Sequence, residues 1–211
     1  MHYFVTLWFD WVLQWGYLGI IVLMAMESSV IPVPAEIVIP PAAFLAAQGK
    51  LTFVGVILAG TFGSYLGAAI SYWVSRWVGR PVISRFGKYF FLSQGKLERA
   101  EIWLARYEAS GVFFARLLPV IRHLISIPAG IVRMNFWMFS ATTIAGSAVW
   151  CSVLTYLGNQ AYRAKPDLIS NPEGLLEFIK ERSHSLVLLV AAFAVLYLLF
   201  LRFSAKRTPA A

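Results

Sequence analysis

Four ionisable side chains stand in apolar surroundings and have spacings that could do chemistry. Glu27 and Glu36 close the two ends of ESSVIPVPAE, and Arg116 and Arg122 flank the proline of ARLLPVIR. Two guanidinium forks suit a phosphate, because each binds an oxyanion through paired hydrogen bonds. A carboxylate held between burial and a neighbouring guanidinium can take up and release a proton. Arg116 and Arg122 are six residues apart and would not share a face of a regular helix; Pro119 between them breaks it and lets both point into one cavity. Helix starts after Pro34 and Pro119 would add positive dipole ends. Plainer roles exist for each residue. Glu27 can be an interfacial helix end, Glu36 a helix cap, and the two arginines structural counter-ions. His123 beside Arg122 reads as a core or interface histidine before a proton relay.

The surroundings of these residues define the class. The 211-residue chain is 59% hydrophobic and only 13% charged, against roughly 25% charged in soluble domains. It lacks the polar surface to cover a globule. Three runs, 51–75, 134–162 and 183–201, contain no Asp, Glu, Lys or Arg, and about 20 apolar residues cross a bilayer as a helix. The reading is a multi-spanning membrane protein. The net charge of +8 then marks cytoplasmic loops and anionic headgroups rather than nucleic acid. The one cysteine, Cys151, and three scattered histidines, His2, His123 and His184, build no metal site. No cofactor is implied. GTFGSYLG lacks the nucleophile-elbow glycine-serine pattern, and no enzyme is expected.

The elements that must position the four residues follow from the prolines and the uncharged runs. A first helix covers 1–27, and a proline-broken re-entrant hairpin covers 28–50, with Pro32 and Pro34 as its breaks. A transmembrane helix over 51–79 follows, then an amphipathic interfacial helix over 93–109. A second re-entrant hairpin covers 111–133, broken by Pro119 and Pro128. Further transmembrane helices run over 135–161 and 185–203. Gly63, Gly67 and Gly130 serve close helix packing. Lys50 and Arg133 read as interfacial anchors, and Tyr72 and Trp73 as packing.

At an offset of 83 residues Lys50 meets Arg133, Phe53 meets Phe136, Gly63-Ser64 meets Gly146-Ser147, and Arg80 meets Arg163. The order of elements repeats as well. Placing the six basic residues of 80–106 and the three of the tail in the cytoplasm makes the two units opposite in orientation and both termini cytoplasmic. The expected fold is an all-α membrane protein built on an inverted repeat of re-entrant hairpin plus transmembrane helix. Interrupted segments at matching places point to a transport site near the midplane.

Three motifs resemble the DedA family of VTT-domain membrane proteins: ESSVIPVPAE, GSYLGAAISYWVSRWVGR, and FARLLPVIR followed by PAGIVRM. The resemblance covers nearly the whole chain. It implies a bacterial inner-membrane protein that moves phospholipid or undecaprenyl phosphate between leaflets with a link to the proton motive force. It also implies that the acids Glu27 and Glu36 and the phosphate-binding arginines Arg116 and Arg122 are its functional residues. Glu36 stands where many members carry Asp. Expected partners are anionic lipids and protons, and a homo-oligomer is allowed. A proton-coupled antiporter of ions or small cations is the alternative. A membrane organiser that transports nothing is a third reading.

Overall fold

A computed structural model describes residues 11–29, 34–86, 109–118 and 121–164. The 93–109 helix (all but its last residue), the 185–203 helix, residues 1–10, Pro32 and Pro119 lie outside the described residues. Within them every regular element is a helix. The elements are α1 (Tyr17–Glu27), α2 (Ala35–Ala47), α3 (Phe53–Phe86), α4 (Ile121–Leu124), α5 (Ser126–Ile131) and α6 (Phe136–Ala164). Residues 109–116 are helical too. Phe53–Trp77 and Phe136–Ala164 are long and apolar enough to cross a membrane. Their outer faces carry exposed large apolar residues, among them Val54, Leu58, Phe62, Ile70, Val74, Ile144 and Val149. A helix apolar both inside and outside is solvated by lipid.

The chain from 11 to 27 is not one rod. At Gly16 the backbone takes φ 54 and ψ −125, a conformation open to glycine alone. Residues 11–15 fold back so that the Trp11 carbonyl lies against Gly19. The first straight helix is therefore α1, whose 11 residues reach only about 16 Å. The 13 residues of α2 reach about 20 Å, also short of a bilayer core of roughly 30 Å. The break falls between them, ending at Pro34, the extended N-cap of α2. Pro40 and Pro41 sit inside α2 without ending it, although neither has an amide to give the carbonyl four residues back.

The neighbours of each glycine give the helix directions. Gly55 meets Tyr17, Gly63 meets Ile21, and Gly67 meets Ala25, so α1 and α3 are parallel. The Tyr17 hydroxyl accepts from the Thr52 amide at 2.9 Å, and Gly16 lies against Leu51. The start of α1 and the end of α2 therefore lie together, and α1–α2 is a helical hairpin. Its tip is level with Gly67, about 21 Å along α3 from Phe53. On α6, Gly158 meets Pro40 and Ala43, and Tyr162 packs edge-on to Phe44, so α2 runs parallel to α6. Helices α3 and α6 are antiparallel. Cys151 meets Gly60, Ser147 meets Ser64 and Phe139 stacks on Tyr72.

The second half is assembled from shorter pieces. Pro128 has no amide to give the Leu124 carbonyl, and α4 and α5 are separated at Ile125. Gly130 then sits against the backbone of Tyr72, which seats α5 on the far part of α3. The core has two apolar lobes. One joins α1, α2, the start of α3 and the second half of α6. The other joins the far part of α3 with residues 112–115, α5 and the start of α6. Between them runs a polar waist. Ser28 Oγ bonds Ser64 Oγ at 2.7 Å, which bonds Ser147 Oγ at 3.1 Å.

Candidate functional site

The waist holds three of the four residues singled out above. Glu27, at the C-terminal end of α1, forms an ion pair with Arg122 of α4, and both are buried. Burial of the pair sets its energetics. Each ion has lost its water, so either one left alone costs several kcal/mol. The guanidinium of Arg122 also lies 5.5 Å from the centre of the Trp150 ring, within the range where a cation is drawn to an aromatic face.

Arg116 has a different environment. It comes from the end of the 109–116 helix and is 2% exposed. Its Cβ packs against Gly146 of α6, where a side chain would leave no room. Its Nη2 donates to Ser126 Oγ at 2.7 Å, and its buried Nε has no hydrogen-bond partner. Among the described residues no carboxylate is paired with it. A buried guanidinium whose Nε is unpaired and which has no carboxylate among the described residues is under-satisfied, since it carries five donors and a full charge. An oxyanion that enters the waist finds those donors waiting.

The two arginines do converge. Arg116 meets α6 at Gly146 and Arg122 meets it at Trp150, four residues or about 6 Å apart along the helix. Glu36 lies at the start of α2, three residues before Ile39, which meets Gly60 of α3. It is half-buried in the first turn of α2, where a carboxylate complements the helix dipole. Gly63 and Gly67 admit the backbone of α1, and Gly130 that of α3. Three participants carried no sequence signal of their own. Ser126 and Trp150 sit in apolar runs, and Ser28 sits beside the more conspicuous Glu27. Ser64 and Ser147 were visible, because the 83-residue offset pairs them.

The waist lies between two aromatic ends of the molecule. Trp11 and Trp15 stack at 5.5 Å near the end where the hairpin enters. Trp73, Trp77 and Trp137 gather at the other end with Phe136. The ends are about 36 Å apart along α3, a hydrocarbon core plus its interfaces. Ser64 falls near half of that distance.

Residues 33–160 match the VTT domain. Undecaprenyl phosphate transporter A of Bacillus subtilis is 37% identical over 71% of this chain and 74% of its own. The protein of the same name from Staphylococcus aureus is 31% identical over 71% of this chain and 75% of its own. A Lactococcus lactis protein named alkaline phosphatase-like is 36% identical over 69% of this chain and 70% of its own. No solved structure matches.

Proposed function

The chain belongs to the family of VTT-domain, DedA-type membrane proteins, and from that premise we propose that it carries a phosphate-bearing lipid, such as undecaprenyl phosphate, between the leaflets of the bacterial inner membrane. The observation that carries the reading is Arg116, a buried cation that among the described residues has no carboxylate partner, donates to Ser126 and keeps an unpaired Nε. The names of the transporter relatives agree with a lipid phosphate as cargo.

The two arginines then divide the work. Arg116 receives the phosphate, and Ser126 holds its fork in place. Arg122 is engaged by Glu27 in the resting state. A proton taken up by Glu27 releases Arg122 to the same phosphate, and deprotonation restores the ion pair and expels the lipid. This links movement of the lipid to the proton gradient. Glu36, in the first turn of α2, is the acid through which protons would reach Glu27. The inverted-repeat reading is supported by the antiparallel crossing of α3 and α6 at Ser64 and Ser147. The re-entrant reading is supported by the shared end of α1 and α2. The basic end of α3 faces the cytoplasm in this reading. The same chemistry needs no covalent step, so we read the chain as a carrier.

The test is flipping of a phosphate-bearing lipid in proteoliposomes, with phosphate release followed in parallel. Arg116→Gln should slow flipping by roughly ten- to a hundredfold, the worth of a charged hydrogen bond. Ser126→Ala should slow it less. Unchanged flipping in Arg116→Gln would sink the reading. Release of inorganic phosphate by the wild type would replace it with a hydrolase.

A further inference from the structure

The end of α3 away from the hairpin carries a guanidinium that the transport reading does not use. Arg76 Nη1 donates to the Tyr72 hydroxyl at 2.9 Å, and that hydroxyl donates to the Met134 carbonyl. The guanidinium carbon lies 6.0 Å from the Tyr72 ring centre and 5.5 Å from that of Trp73. Tyr72 is wholly buried, between Phe136 and Phe139. A side chain that merely reaches for the interface keeps its freedom. This one is held from two sides, by a buried relay and by an aromatic face. Among the described residues one of its five N–H groups has an acceptor, the Tyr72 hydroxyl.

The surroundings say what would take the others. Trp73 contacts Trp77 and Phe136, and Phe136 contacts Trp137. Trp77 is 79% exposed and Trp137 80%. The result is an apolar aromatic plate at interface depth with a fixed cation at its edge and exposed Arg133 at the same end. The other end of the molecule lacks this arrangement. At the 83-residue offset, Asn159 stands for Arg76 and Gln160 for Trp77. There a neutral pair forms instead, with Gln160 Nε2 donating to the Tyr156 hydroxyl at 2.8 Å. Lys50 and Arg163 put charge at that end too, but among the described residues the guanidinium set against an aromatic plate is found at the Arg76 end, as a headgroup ligand confined to one leaflet would require.

The geometry points to a second, peripheral lipid site at this end. In it Arg76 takes the phosphate of an anionic phospholipid headgroup, and the Trp77–Trp73–Phe136–Trp137 plate takes the glycerol and upper acyl region. It is separate from the waist, lying about 18 Å further along α3 than Ser64.

The experiment is native mass spectrometry of the full chain after exchange from phosphatidylglycerol-containing micelles, with phosphatidylcholine as control. Wild-type protein should retain phosphatidylglycerol over phosphatidylcholine, and Arg76→Gln should lose roughly tenfold of that retention. Trp137→Ala, a change at an exposed position outside the core, should weaken it with the fold intact by circular dichroism. Arg116→Gln should leave it in place, which separates this site from the waist. Equal retention in Arg76→Gln and wild type would overturn the assignment. So would equal retention of the two lipids, loss in Arg116→Gln, or displacement by millimolar inorganic phosphate, which would show that the plate takes no part.

Discussion

Two short helices, α2 and α5, end in the same way and lead into long helices that pack differently. After α2, the Gly49 amide bonds the Ala46 carbonyl and the Lys50 amide bonds that of Leu45. After α5, the Arg133 amide bonds the Gly130 carbonyl and the Met134 amide bonds that of Ala129. Each pair of bonds turns the chain out of a short helix and into a long one. The long helices then diverge at equivalent positions. Gly67 of α3 lets the α1 backbone approach at Ala25. Trp150, its counterpart on α6 at the 83-residue offset, presents a ring beneath Arg122. One half keeps a glycine and brings a hairpin tip with an acid. The other keeps a tryptophan and brings arginines. The two helix endings are alike, while the acid Glu27 and the bases Arg116 and Arg122 come from different elements and meet at the waist.

The strongest way to break this comparison is to remove one member of the meeting pair. Glu27→Ala leaves Arg122 buried beside Trp150 without its counter-ion and should destabilise the protein by about 3–5 kcal/mol. Most of that loss should return in the Glu27→Ala/Arg122→Ala double variant. Unfolding in mixed micelles, arranged as a double-mutant cycle, measures the coupling. Additive effects would show that the halves are not joined there. Next in size is the glycine. Gly67→Ala drives a methyl into the Ala25 carbonyl, backbone that cannot turn aside, and should cost about 1–3 kcal/mol. Trp150→Phe at the counterpart keeps an aromatic face for Arg122 and should cost less in the same assay. The reverse order would mean that the two positions are not equivalent.

The legible part of this fold was its charge and its punctuation. Uncharged runs located α3 and α6, because lipid solvation forbids charges over a span. Glu27, Arg116 and Arg122 stood out for the same reason. The hairpin was harder to place. Prolines suggested a broken stretch over 28–50, and α2 passes through Pro40 and Pro41 with its end back beside the start of α1. The signal for that was Gly16, a residue whose positive φ is invisible in composition. Ser126 and Trp150 were not legible. A serine that orients an arginine and a tryptophan that supports one look like any others in an apolar run until tertiary packing brings them together.

The smallest predicted effect is the sharpest test of the shared hairpin ending. Gly49 leaves α2 at φ 76 and Arg133 leaves α5 at φ 54. Glycine takes that region freely, whereas an L-residue with a Cβ pays about 1–2 kcal/mol there. The first half therefore ends its hairpin without strain, and the second retains an exposed arginine despite it. Arg133→Gly should raise stability by about 1 kcal/mol, and Gly49→Ala should lower it by a similar amount. Melting temperatures of the two variants in one detergent check both signs. If Arg133→Gly lowers stability instead, the Arg133 side chain anchors the interface by more than its backbone costs, and the two endings are alike in shape only.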